Sequence, residues 1–452
     1  MKSRVFLIVA LAVAAAVFLV ARLIGSEYLF FAGYVVLQFI VLATAWNILG
    51  GYCGYVNFGS AAFFALGAYT SVFFHKAYPL PIPMLILLGG IVSGIVGFGM
   101  GYLTLRLRGA FFAIATLALA VVLQTLIINW QYVGGSRGAY AIRPPAIDIL
   151  GLALPYMQYL FALMLILAVA AVSIARLIER SRLGYGFATI RDDELAAEAC
   201  GVPTLRLKLI ATTVSGALMG MAGAPFPYYI TYIEPSSAFG LAYAVNSIAM
   251  PMIGGTGSWI GPLVGAILLG SIQEVARVTI SSAVNLLIVG VLLVAFVVIA
   301  PNGIVGLIQE FLRVTASRRQ TVQVALVFLA AYCFLLGLLE ILVSIPWMAQ
   351  GAASPILAIA GGAVCVLGIL LLASSYALLT LRYWAAWLAA VSLAASIAGA
   401  VLYLRLLPPE NATLLIVSIV ISAAGVCFLL LAEVRSVYRT RSADAATPRL
   451  QS

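Results

Sequence analysis

Long apolar runs separated by short polar stretches dominate this chain from Val5 to Leu431. Many of the runs reach roughly 20 residues, the length a helix needs to cross a hydrocarbon core. None alternates polar and apolar residues as an outer-membrane barrel strand would, so a barrel is excluded. The pattern predicts an all-α polytopic membrane protein, with spans near 5–24, 28–49, 59–75, 82–105, 110–131, 156–177, 207–230, 242–256, 261–279 and 282–300. Further spans are expected near 321–343, 353–373, 385–404 and 411–431. The reading is therefore about ten core transmembrane helices followed by about four C-terminal ones. It divides the chain into a core region 1–316, a membrane extension 317–442 and a cytoplasmic tail 443–452.

Composition agrees: of 452 residues 64% are hydrophobic and 8% charged, and mean hydropathy is +1.16, far from a soluble domain. Lys2 and Arg4 precede the first run as in a signal peptide, but no convincing small-residue cleavage site follows, and an uncleaved first span is expected. With the N-terminus inside, 18 of the 24 Lys and Arg residues fall on cytoplasmic loops, an asymmetry that supports both span parity and orientation. Both termini are then cytoplasmic, and the net charge of +10 reflects topology and contact with lipid rather than nucleic acid. Trp46, Trp130, Trp347, Trp384 and Trp387 fall near span ends, where interfacial aromatics are expected.

The polar residues exclude several functions. No carboxylate is expected near mid-bilayer, where a proton or sodium relay needs one; Glu274 and Glu340 lie toward the outer ends of their spans. No lysine closes a GxxxxGK[ST] phosphate loop, so ATP hydrolysis by that route is not expected of this chain. The five cysteines are scattered without metal or disulfide spacing, His75 stands alone, and no nucleophile, base and acid share a plausible site. Neither catalysis, a metal nor a cofactor is expected.

Three regions depart from plain spans. Residues 191–208, RDDELAAEACGVPTLRLK, gather four of the fourteen acidic residues. Asp192, Asp193, Glu194 and Glu198 are expected to open a short helix that Gly201 and Pro203 stop. Leu195, Ala199 and Val202 would form its apolar face, suited to docking in a groove, although a solvated connector is the plainer reading. The second region sets Asn47, Asn57 and Ser60 among Gly50, Gly51, Gly54, Gly59 and Gly67, and the third runs from Asn246 and Pro251 into Gly254, Gly255, Gly257 and Gly261. Both have the composition of discontinuous helices, which can turn backbone groups toward a cavity. Tight helix packing through small residues is the alternative. Gln124, on the span after Arg108, carries the same ambiguity.

Residues 45–69, 105–120 (LRLRGAFFAIATLALA), 181–202 (SRLGYGFATIRDDELAAEACGV), 254–266 (GGTGSWIGPLVGA) and 300–307 (APNGIVGL) resemble, in order and spacing, the LivM-type permease subunit of branched-chain amino acid ABC importers. The resemblance covers roughly the first 310 residues and implies an inner-membrane transporter subunit without enzymatic activity. It implies that Asp193, Glu194, Glu198 and Gly201 belong to a segment that docks on an ATPase. Asn47, Asn57, Ser60, Gln124, Asn246, Gly254 and Gly255 become candidates for the translocation pathway. It further implies two ABC ATPase subunits, a LivH-like sister permease and a periplasmic or extracellular substrate-binding protein as partners. Many relatives carry histidine where this chain has Ser60, and Cys200 stands where a small or aliphatic residue is commoner. The extension beyond 317 lies outside the family pattern.

Overall fold

The computed structural model describes residues 3–78, 80–104, 107, 109–141, 146–149, 152–279 and 303–306, then single positions between 326 and 348, residues 355–379 and 384–406, and five positions between 422 and 429. The chain is an all-α, multi-pass membrane protein. Among the described residues, eight helical stretches are long and apolar enough to cross a membrane. It separates into two compact units, Met1–Glu274 with Ile288–Leu307, and Val275–Leu287 with Ile308–Ser452.

In the first unit the helices are α1 (Ser3–Ile24), α2 (Glu27–Gly50), α3 (Ser60–Ala77), α4 (Ile82–Thr104), α5 (Ala110–Asn129), α6 (Tyr156–Glu179), α7 (Arg182–Asp192), α8 (Glu194–Ala199), α9 (Thr204–Gly223), α10 (Phe226–Ile230), α11 (Pro235–Ala238), α12 (Leu241–Gly254) and α13 (Ile260–Thr279), the last belonging to this unit as far as Glu274. Only 11% of the apolar stretch of α1 and 22% of that of α5 is buried within the chain, against 72% of α2. The first two therefore present their apolar surface outward, and α2 belongs to the core. Helix α3 is buried from Ser60 through Ala65 and packs against α4, α9 and α12. The approach is backbone to backbone: a Cβ at Gly67 would strike the Gly220 carbonyl, so no larger residue fits between α3 and α9.

The predicted spans 207–230 and 242–256 are more broken than a hydropathy reading suggests. Helix α9 ends at Gly223, and Pro225, Pro227 and Pro235 divide the path to α12 into short helical turns. At that same end of the bundle four short strands appear that no periodicity announces: β1 (Ala139–Tyr140), β2 (Ala146–Ile149), β3 (Leu152–Pro155) and β4 (Tyr232–Ile233). β1 pairs antiparallel with β4, and β2 with β3. The predicted span 282–300 lies outside the described residues.

The second unit contains α14 (Pro355–Leu379) and α15 (Ala385–Leu406). Leu329, Cys333, Leu371, Leu378, Ala389 and Leu393 form part of its own buried core. The Tyr332 and Ser422 hydroxyls are hydrogen bonded at 2.8 Å, and the Ser396 hydroxyl donates to Glu340. Of the predicted spans 321–343 and 411–431 only scattered positions are described.

Candidate functional site: the coupling segment and the glycine breaks

The polar segment singled out by sequence is divided among the end of α7, the whole of α8 and the start of α9. Asp192 ends α7, and Asp193 turns into extended backbone at φ −159° to become the N-cap of α8, its Oδ1 accepting from Leu195 N–H (2.9 Å) and Ala196 N–H (3.1 Å). Gly201, at φ +82°, closes the other end; its N–H donates to Glu198 O and that of Val202 to Ala197 O, both near 3 Å. Ala197 is the buried residue of α8, whereas Leu195 is 63% exposed and Ala199 also faces out. The reason is electrostatic: turning Ala197 inward brings Glu194 to a buried cation.

That cation is Lys208, whose Nζ lies 2.7 Å from Glu194 Oε1, with side chains only 4% and 11% exposed. The Tyr55 hydroxyl donates to Glu194 Oε2 and accepts from Lys208 Nζ at 3.2 Å, closing a triangle between α8, α9 and the α2–α3 connection. Glu194 is thus turned into the protein. Glu198 stays exposed, with Oε1 accepting from the Thr204 hydroxyl at 2.7 Å. On the α7 side Arg191 Nη1 donates to Gly51 O at 3.4 Å, and a Cβ at Gly54 would come within 2.9 Å of Arg191 Cγ.

The first glycine region is a buried, non-helical connection between α2 and α3. Trp46 is the correction here: it is 3% exposed rather than interfacial, and its Nε1–H donates to Asn57 O at 2.8 Å. Asn57 Oδ1 accepts from Gly59 N–H at 2.7 Å, starting α3, and Ser60 beside it is fully buried. Asn47 Nδ2 donates across to Ser258 O at 3.5 Å, so the first break touches the second, the α12–α13 turn. There Gly255, at φ +116°, reverses the chain so closely that a Cβ at Gly254 would collide with the Gly261 carbonyl. Asn47, Asn57, Ser60, Gly254 and Gly255 therefore come together near the polar segment 191–202. Asn246 lies apart, accepting from Gln273 Nε2 at 2.8 Å, and Gln124 lies on α5, half exposed.

A model of the branched-chain amino acid transport system permease component matches residues 28–297, and LivM of Salmonella typhimurium LT2 is 27% identical over 70% of this chain and 78% of its own length. The chain is a LivM-type member of this permease family. LivM of Escherichia coli K12 is also 27% identical, over 61% of the chain and 69% of the relative. Escherichia coli K12 LivH is 21% identical over 59% of the chain and 91% of the relative. No solved structure matches. The family match stops at residue 297, short of α14 and α15.

Within this LivM-type permease one side chain without mention among the candidates joins the parts. Glu179, the last residue of α6, accepts through Oε2 from the Tyr52 hydroxyl (3.2 Å) and from Trp259 N–H (2.6 Å), one in each glycine break. The Trp259 ring is held in turn by Phe6 of α1, centroids 5.1 Å apart, and by Arg176, whose guanidinium carbon lies 3.7 Å above the Phe6 ring. Burial raises the Tyr52 phenol pKa, with the Glu179 carboxylate adding to it. Burial likewise pushes the Cys53 thiol up to about 12, against the opposing pull of Lys208. Beside them a cleft of about 480 Å³ opens between residues 53–56, the first turn of α5, and Arg191 with Glu194. In the sequence, the signal for Glu179 was a carboxylate closing an apolar span two residues before a serine N-cap, Ser181.

Proposed function

We propose that this chain is one membrane subunit of an ATP-driven importer in the bacterial inner membrane, carrying leucine, isoleucine or valine into the cytoplasm. A LivH-like sister permease, two ABC ATPases and a substrate-binding protein on the outer side complete the machine. The observation that carries the reading is the coupling segment: a helix capped at both ends, exposing Leu195 and Glu198, tied to the membrane core by a buried ion pair. Such a peg transmits force because its inward side is fixed while its outward side is available to an ATPase groove.

Charge favours a cytoplasmic position for this end. Arg180, Arg182, Arg191, Arg206 and Lys208 gather on or beside the segment, whereas Arg22, Lys76 and Arg137 lie at the opposite ends of their helices. With that end inside, α1 starts on the cytoplasmic side and the strand-bearing end faces the binding protein; the span parity expected from sequence would return the C-terminus to the cytoplasm as well. The candidate pathway residues Asn47, Asn57 and Ser60 then line the inner part of the route, with Asn246 and Gln124 farther out along their helices.

A second cargo on the same machinery, such as urea, a short amide or an aromatic carboxylate, is the alternative. It is favoured by a relative named as an autoinducer 2 import permease, 25% identical over 40% of this chain. The test is purification with partners followed by uptake into proteoliposomes. Recovery of two ATPases and a second permease, with ATP-dependent leucine uptake through the cognate binding protein, is the expected result. A chain that is active alone would overturn the importer reading, and ATP-driven uptake of another solute would change only the cargo.

A further inference from the structure

We infer that Glu179 is the positioning residue that makes both glycine breaks move with the coupling segment, an inference that rests on the importer function proposed above. Three observations converge on it. The carboxylate accepts from a side chain of the first break, Tyr52, and from the backbone of the second, Trp259, through a single oxygen. It stands at the end of α6, two residues before the Ser181 cap that starts α7, so any tilt of α7 is delivered directly to it. At its far end α7 grips the first break again, through Arg191 on Gly51 O. The first break is therefore held at both ends of α7, and the second through Glu179, the packing of its tryptophan ring and the longer bond from Asn47 to Ser258 O at 3.5 Å.

This geometry sets what each group does. Displacement of α7 and α8 by an ATPase partner carries Glu179 with it, and the two breaks follow because their donors share one acceptor. Without that acceptor the first break still follows Arg191, but the second is left with the 3.5 Å bond from Asn47 to Ser258 O and its ring packing. The two breaks are then loosely tied, and ATP turnover no longer obliges the pathway to open.

The experiment uses the complete complex in proteoliposomes and reads substrate transported per ATP hydrolysed. Glu179→Ala is expected to lower this ratio about fivefold or more, the range of a coupling interaction. Glu179→Gln keeps an oxygen that can accept both bonds, and its ratio is expected to stay near that of the unaltered complex. A purely structural role would lower transport and hydrolysis together; an unchanged ratio in Glu179→Ala overturns the inference, as does a ratio in Glu179→Gln as low as in Glu179→Ala. If Glu179→Ala does not assemble, Tyr52→Phe decides, since it deletes only one hydroxyl: a fall of about twofold or more, the worth of one hydrogen bond, supports the linkage, and no change overturns it. An unaltered complex that transports without ATP would instead overturn the importer function, so the two failures are distinct.

Discussion

Glu194 and Glu198 lie one helical turn apart, yet burial gives them opposite work. Glu194 faces Lys208 with both side chains nearly closed to solvent, so Glu194→Lys would set two cations against each other. A loss of about 3–5 kcal/mol is expected, the cost of breaking a buried pair from one side. A fall in the melting temperature of the purified chain, recovered in the Glu194→Lys and Lys208→Glu double variant, checks it. Glu198 is exposed, and Glu198→Lys is expected to cost about 1 kcal/mol through the lost Thr204 bond while reducing ATPase recovery in co-purification. Cys53 supplies a pH test. Its folded pKa of about 12 exceeds the ordinary value of 9.0, so only the unfolded thiol ionises between them. Its contribution to stability is full below pH 9.0 and is lost as pH rises toward 12. At pH 8 a maleimide is expected to label exposed Cys200 and spare Cys53, as read by mass spectrometry of the labelled peptides.

Among the helices, space decides more than hydropathy. Gly67 and Gly220 bring α3 and α9 into backbone contact, and Gly254 with Gly261 does the same for α12 and α13. Gly67→Ala is expected to destabilise by about 1–3 kcal/mol, the range for overpacking a closed core, and to lower the recovery of folded chain in size-exclusion chromatography. Gly99, with nothing near its missing Cβ, is the control: Gly99→Ala is expected to fold normally. The glycines at these two contacts are explained by packing, whatever part the breaks play in transport. Helix α8 shows the complementary case: six residues are too short to be stable alone, and its two caps and the Lys208 anchor hold it in place.

For the whole molecule, the site and all of the family match except residues 275–287 lie in the first unit, and the second has a buried core of its own. A chain ending at residue 316 keeps the site and the whole family match, and it is expected to assemble with its partners and transport at a rate close to that of the full chain, measured in the same proteoliposomes. Loss of assembly would assign the extension a role in subunit contact.

Sequence by itself determined the membrane class, the placement of most spans in the described region, and the stop at Gly201. These rest on local quantities: runs of apolar residues long enough to cross a bilayer, and a backbone conformation that glycine adopts freely. It also marked both glycine regions as breaks. The tertiary structure alone decided that the breaks touch, that Glu194 points inward while Glu198 does not, and that Trp46 is a core pin. It also decided that Glu179 binds partners on both breaks. The contacts responsible span 127 residues from Tyr52 to Glu179 and 153 from Tyr55 to Lys208. No periodicity carries information over such distances; only the packing of helices that meet at one end of the bundle brings those groups together, where burial makes each charge require its partner.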